Sequence, residues 1–331
     1  MEAAKQQGSG QSNLAVANLA PTRVTAVPQV EARRDIIVVG GGKGGIGKSL
    51  LSTNLGIHLA QQGERVVLID ADLGGANLHT CLGLPPPRQT LSHFVDGRTP
   101  DLAAVVVPTG YPNLGLISGA LDVLSAANPM YADKLRLLQA VAQLEVDRVI
   151  IDLGGGTAFH TIDFFLMADV GLVTVVPEPT SIENAYRFIK AACYRRLRAL
   201  EIAWQLPPMV EESLGERGGR SLKSPVEVLQ AIALRDPVAA ERMRRQLARF
   251  PFNLVVNQVR TPEERELGPA MCAACRRYFG IEMHFAGSIP YDDSVWQAVR
   301  HRRPLLVDSP HSRASVQLRA VAESLQREER P

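Results

Sequence analysis

The chain has 331 residues, 46% of them hydrophobic but only 5% aromatic, and a formal net charge of +2. That length and apolar content support an aliphatic core, in one large α/β domain with additions or in two modest domains. Near-neutral charge gives no argument for nucleic acid, no apolar run reaches the about 18 residues of a transmembrane segment, and no signal peptide opens the chain, so a cytoplasmic, thiol-reducing setting is expected for Cys81, Cys193, Cys272 and Cys275.

Residues 1 to 34 carry Gly, Ser, Gln and Asn with little periodicity. They read as a flexible leader ending at Arg33-Arg34, with a partner-binding tail as the alternative. Asp35-Ile36-Ile37-Val38-Val39 follows as a fully buried strand, and Leu50 to Gln62 as a helix stopped by Gly63. Between them, Gly42 to Ser49 fits G-x-x-x-x-G-K-[ST] without a mismatch, in the strand–loop–helix context a phosphate-binding P-loop needs. Glycines let successive backbone N–H groups turn inward around phosphate oxygens, and the helix N-terminus adds partial positive charge. Lys48 is expected to reach the β- and γ-phosphates and Ser49 to offer its hydroxyl to Mg²⁺. The candidate nucleotide contacts are Gly42, Gly44, Gly45, Ile46, Gly47, Lys48, Ser49 and Leu50, and the expected cofactors are ATP and Mg²⁺.

A second lysine lies inside the loop, giving Lys43-Gly44-Gly45-Ile46-Gly47-Lys48-Ser49. This resembles the deviant P-loop of the MinD/ParA family of dimeric ATPases. The resemblance implies an ATP-dependent homodimer in which Lys43 crosses the interface to the partner's nucleotide. An ordinary P-loop has no need of this lysine, and a solvated Lys43 is the alternative.

Farther on, Arg65 to Asp70 reads as a second buried strand, running into Ala71-Asp72-Leu73-Gly74-Gly75-Ala76-Asn77. Carboxylates at the ends of parallel strands fall where an α/β nucleotide fold places its chemistry. The segment is similar to the Asp-x-Asp-x-Gly switch of MinD-like proteins, which implies that Asp72 orients the attacking water and that Asp70 lies near the Mg²⁺ shell. Residues 84 to 130 are rich in Pro and Gly, with strand-like pieces at 103 to 107 and 114 to 118. Residues 132 to 144 read as an amphipathic helix. Arg148-Val149-Ile150-Ile151-Asp152 is the next apolar strand, and its terminal acid suits Mg²⁺ binding. The metal set expected is Ser49, Asp70 and Asp152. Gly154-Gly155-Gly156 can approach the γ-phosphate closely and change conformation when it leaves.

Residues 170 to 176 form another strand, and Thr180-Ser181-Ile182-Glu183 is a capping-box pattern opening a helix in which Cys193 is a small buried hydrophobe. Residues 204 to 250 interrupt the family pattern and read as a helical insertion, helical over 225 to 250. Its arginines (Arg242, Arg244, Arg245, Arg249) are candidates for DNA, acidic lipid or protein contact, with a solvated helix face preferred. Residues 253 to 259 form a strand, and by the resemblance Asn257 hydrogen-bonds adenine while Pro290 and Asp292 line the base. Cys272 and Cys275 match the Cys-x-x-Cys of Mrp-type iron–sulfur carriers; packing is preferred over metal. In the terminal helix, Ala314, Leu318, Val321 and Leu325 make one apolar stripe, expected to pack on the body rather than to bind membrane.

The expected fold is a doubly wound, mainly parallel α/β sheet of the P-loop NTPase type. A nucleotide domain would span 35–310, with the insertion at about 204–250 and a C-terminal helix over 311–331. The resemblance, strongest toward the FlhG/MinD-like branch, implies a slow, partner-stimulated ATPase switch with Lys43, Lys48 and Asp72 as catalytic residues. Its role would be spatial regulation of flagellar assembly, cell division or pole organisation, with an activating protein not identified by the sequence. Peripheral contact with membrane or non-specific contact with DNA stays open, and a ParA-like DNA-partition ATPase and an iron–sulfur carrier are the alternatives.

Overall fold

The computed structural model describes residues 35–72, 75–119, 131–215 and 224–328. The expected leader over 1–34, Leu73 and Gly74 of the switch segment, and residues 216–223 of the expected insertion lie outside the described residues.

Eight strands are described: β1 (Asp35–Gly40), β2 (Val66–Asp70), β3 (Val107–Pro108), β4 (Leu114–Ile117), β5 (Arg148–Asp152), β6 (Val170–Val175), β7 (Phe252–Val259) and β8 (Met283–Pro290). They form one sheet in the order β3-β4-β2-β5-β1-β6-β7-β8. Every pairing is parallel except β3 with β4. The central strands are mainly apolar because both faces of the sheet are covered. Ile36 and Val38 of β1 face one core, with Phe165 and with Phe188, Ile189 and Cys193 of the long helix Pro179–Ala203. Ile37 and Val39 face the other, with Leu51 and Leu55 of the helix Lys48–Gln61 and with Leu318, Val321 and Leu325 of the terminal helix Arg313–Glu328. The doubly wound reading therefore holds, and the stripe on the terminal helix is buried against the body. Among the described residues, no helix is long and apolar enough to cross a membrane.

Three local expectations differ. The helix expected over 225–250 is two helices, Pro225–Ala233 and Pro237–Ala248. Asp236 caps the second by accepting the Ala239 N–H at 2.8 Å, and Pro237 supplies its first turn, so Asp-Pro is a restart signal inside one apolar period. The capping box at Thr180–Glu183 does not form. The helix starts earlier, at Pro179, and the Ser181 hydroxyl accepts the Val176 N–H at 3.1 Å, tying the helix to the end of β6. The strand expected at 103–107 is a 3₁₀ turn, Ala103–Val105, followed by the two-residue β3.

The basic helix Pro237–Ala248 is largely compensated. Arg244 and Arg245 both pair with Glu241, and the Arg242 guanidinium stacks on Trp204 at 4.2 Å. Cys275 is buried and Cys272 half-buried. Burial pushes their thiols up to about 12 and about 11, away from the thiolate a metal needs. Among the described residues, no group of three or more His, Cys, Asp or Glu is disposed to hold a metal ion.

Candidate functional site

The loop between β1 and the helix Lys48–Gln61 lies at the carboxyl edge of the sheet, beside the ends of β5, β6 and β7. Gly42 packs on the backbone of Asn184, Gly44 and Gly45 have open space where side chains would stand, and Ile46 is buried. Gly47 precedes the helix with φ 92°, a left-handed conformation that favours glycine. A Cβ there would also lie 2.2 Å from Asn257 Nδ2, so two constraints select glycine at one position. The first turn of the helix then presents Lys48 and Ser49, with Leu50 half-buried beside it.

Lys48 is only 7% exposed. Its Nζ donates to the Lys43 carbonyl at 2.9 Å, across the mouth of the loop. Burial lowers its pKa, and the charges of Asp152 and Asp72 oppose that shift. Lys43 is at the tip, half-exposed, and its Nζ donates to Glu178 Oε2 at 2.9 Å and to Thr180 Oγ at 3.2 Å.

The acids come from neighbouring strands. Asp70 ends β2 and Asp152 ends β5, and they are register partners in the parallel ladder. Both are almost fully buried. Burial pushes Asp152 up to about 7, with the adjacent Asp70 charge adding to it, while hydrogen bonds from Ser49 and Ser52 and the Lys48 charge act against the shift. Ser52 Oγ donates to Asp152 Oδ1 at 3.0 Å. Burial likewise raises Asp70 to about 6 although it accepts three backbone N–H groups, from Asp72 at 3.2 Å, Asn77 at 2.8 Å and Leu78 at 2.9 Å. Asp70 thus ties down both flanks of the switch segment. Two buried carboxyls side by side, with a serine hydroxyl bonded to one of them, make an oxygen donor set that a hard divalent cation suits, and a bound cation would offset the burial and mutual repulsion that disfavour their charged forms. The fit to Mg²⁺ rests on this.

Asp72 is half-buried. Its carboxylate lies close to the backbone of Gly154, where a Cβ would stand 3.0 Å from Oδ1, and to Gly75. Gly155 packs against the P-loop, and a Cβ on it would lie 2.8 Å from the Gly44 nitrogen. The loop after β5 therefore meets the P-loop on one side and the Asp72 carboxylate of the loop after β2 on the other. Asn257 is buried, its Nδ2 donating to the Ile46 carbonyl at 2.9 Å. Pro290 ends β8, and Asp292 accepts the N–H groups of Ser294 at 3.0 Å and Ala314 at 3.2 Å, joining the starts of two helices.

Three contributors escaped the sequence reading. Ser52 is one turn after Ser49 on the same helix face, a spacing that could have identified it. Glu178 and Thr180 follow β6, and only the strand order, which puts β6 beside β1, brings them to Lys43.

A family model described as the CobQ/CobB/MinD/ParA nucleotide binding domain matches residues 37–305. The antiactivator FleN of Pseudomonas aeruginosa is 29% identical over 295 residues, covering 88% of this chain and 85% of FleN. The flagellum site-determining protein YlxH of Helicobacter pylori is 30% identical over 164 residues, 46% of this chain and 52% of YlxH. The septum site-determining protein MinD of Pyrococcus horikoshii, solved with Mg-ADP, has a similar fold with TM-score 0.59 at 17% identity, covering 90% of this chain and 98% of that one.

Proposed function

Because the chain belongs to the CobQ/CobB/MinD/ParA nucleotide-binding family, we propose that it is a Mg²⁺-dependent ATPase switch that dimerises on ATP and regulates flagellar assembly. One observation carries this reading: a P-loop with a second lysine, Lys43, stands beside a donor set of the half-buried Ser49 and the buried Asp152 and Asp70, with the half-buried Asp72. The similarity to the flagellum site-determining protein YlxH supports the flagellar role.

In this reading the N–H groups of Gly44 to Ser49 and the Lys48 ammonium hold the phosphates of ATP. Ser49 and Asp152 hold Mg²⁺, with Asp70 behind them, and the ion supplies positive charge at the phosphate oxygens. Asp72 orients a water for in-line attack on the γ-phosphorus, giving ADP and phosphate, while Lys48 stabilises charge building on the transferred group. Lys43 leaves Glu178 and reaches the nucleotide of a second copy. Pro290 and Asp292 border the base. Turnover is slow and stimulated by a partner, because assembly state rather than product is the output.

Light scattering and phosphate release on purified protein test this together. Wild type is expected to be monomeric without nucleotide, to dimerise with ATP and Mg²⁺, and to return to monomer with hydrolysis or with EDTA. Asp72→Ala should dimerise without turning over, and Lys43→Ala should bind ATP yet stay monomeric. A wild-type protein that binds Mg-ATP at saturation and remains monomeric refutes the switch.

A further inference from the structure

Three consecutive residues inside the helix Lys48–Gln61 are polar and buried: Ser52, Thr53 and Asn54 are each no more than 1% exposed. A buried polar group is costly unless it is hydrogen-bonded. Asn54 finds its partners in the fold. Its Nδ2 donates to the Leu50 carbonyl at 2.8 Å, and its Oδ1 accepts the Leu306 N–H at 2.8 Å. Ser52 is different. A helical serine can satisfy its hydroxyl on the carbonyl one turn back, yet Ser52 Oγ donates at 3.0 Å to Asp152 Oδ1, 100 residues away at the end of β5. Ser49 stands one turn nearer the phosphate loop on the same helix face and also bonds the Asp152 carboxyl. Two hydroxyls on successive turns therefore meet one acid, Ser49 at the mouth of the site and Ser52 in the interior beneath it.

We propose that Ser52 is a positioning residue for the metal ion: it holds Asp152 Oδ1 from the interior side, so that the other oxygen, Oδ2, is the one left for Mg²⁺ and its waters. The step rests on the nucleotide reading above. The terminal torsion of an aspartate is broad, so burial alone does not fix how its carboxyl is turned. Asp152 also has a second acid, Asp70, as its register partner on β2, and repulsion between the two favours turning away. A bond to one oxygen restrains the whole planar group against both effects. Ser52, fully buried, acts only through Asp152. Groups of this kind, behind a metal ligand, orient it before the ion arrives, and their loss is felt in the affinity for the ion.

Calorimetry on the full chain with ADP separates this role from one in packing. ADP affinity is measured in EDTA, and Mg²⁺ is titrated separately into ADP-saturated protein without chelator. Positioning predicts that Ser52→Ala leaves the metal-free ADP affinity within about twofold of wild type and weakens Mg²⁺ binding by about tenfold or more. Mn²⁺ binding, followed by its electron paramagnetic resonance signal, should weaken in the same proportion. Ser52→Cys keeps the size but offers only a weak S–H donor. It should weaken the ion in the same direction, and it serves if the alanine variant does not fold. Unchanged Mg²⁺ affinity in a folded variant overturns the proposal. An equal loss of ADP affinity with and without the ion also overturns it, since a hydroxyl that merely supports the loop acts on phosphate rather than on metal. A wild-type protein whose ADP affinity does not respond to Mg²⁺ would instead refute the metal reading on which the proposal rests.

Discussion

Asp152 faces a second acid at the end of a buried strand, and that placement has a pH signature. An unfolded chain titrates its aspartates near 3.8, whereas in the fold Asp70 is raised to about 6 and Asp152 to about 7. Between about pH 4 and 7 the folded state therefore binds protons that the unfolded chain does not, and stability of the nucleotide-free protein should fall as pH rises through that window. Asp152→Asn is expected to flatten the slope and to raise the thermal midpoint at pH 7.5 by about 2 °C, on the order of 1 kcal/mol. Scanning calorimetry across the window checks it, and a slope identical to wild type would assign the proton elsewhere. Gly154→Ala tests the other acid, because its Cβ would stand 3.0 Å from Asp72 Oδ1. Displacing that carboxylate should lower turnover by tenfold or more while ATP affinity changes by less than about twofold; equal losses in both would argue against a role for Asp72 in the chemical step. At this scale, legibility tracked sequence distance. Lys48 and Ser49 are neighbours in a motif and could be read directly. Glu178 is 135 residues from Lys43, and nothing local announces their contact.

Among elements, the terminal helix repays comparison of pattern with packing. Its stripe is legible at helical spacing and favours packing on the body only on weak grounds, since an apolar stripe alone suits either cover. Leu318 and Val321 are 1% exposed, buried beside Leu51 and Leu55 of the P-loop helix. Leu318→Ala is therefore expected to cost about 3 kcal/mol in a denaturant titration, and wild type should not sediment with anionic vesicles through this helix. A near-neutral Leu318→Ala together with vesicle binding would mean the helix leaves the body. The break at Asp236-Pro237 was missed for the opposite reason. Apolar positions continue through it at helical spacing, and the decisive signal was one capping residue rather than the period. Ser181 looked like part of a cap and instead ties its helix to β6, since the hydroxyl meets a backbone donor that only the tertiary fold supplies.

For the whole molecule, the sheet order puts β1, β2, β5 and β6 side by side at the centre, so Lys43, Asp70, Asp72, Asp152 and Glu178 stand on or just beyond strands held on both sides, whereas Asp292 follows the edge strand β8. The fold was legible because β1, β2 and β5 are apolar runs ending in glycine or acid, and β6 is an apolar stretch soon closed by Pro177. The two-residue β3, at the sheet's edge, has no such run. A spatial role is tested in cells, with a fluorescent fusion of wild type beside Asp72→Ala. Accumulation of the locked form at a pole or membrane is expected, whereas a coat over the nucleoid would favour DNA partition and diffuse signal in both would count against a spatial switch.

The Lys43 ammonium already has two oxygen partners in its own chain, Glu178 and Thr180. A second copy that recruits this lysine must exchange those contacts for new ones, so association gains only the difference between two sets of ion contacts. A small difference is the condition for an encounter that one phosphate can tip either way. If the proposed dimer forms, Glu178 would act as a counterweight to it, a modest one since the pair is partly exposed.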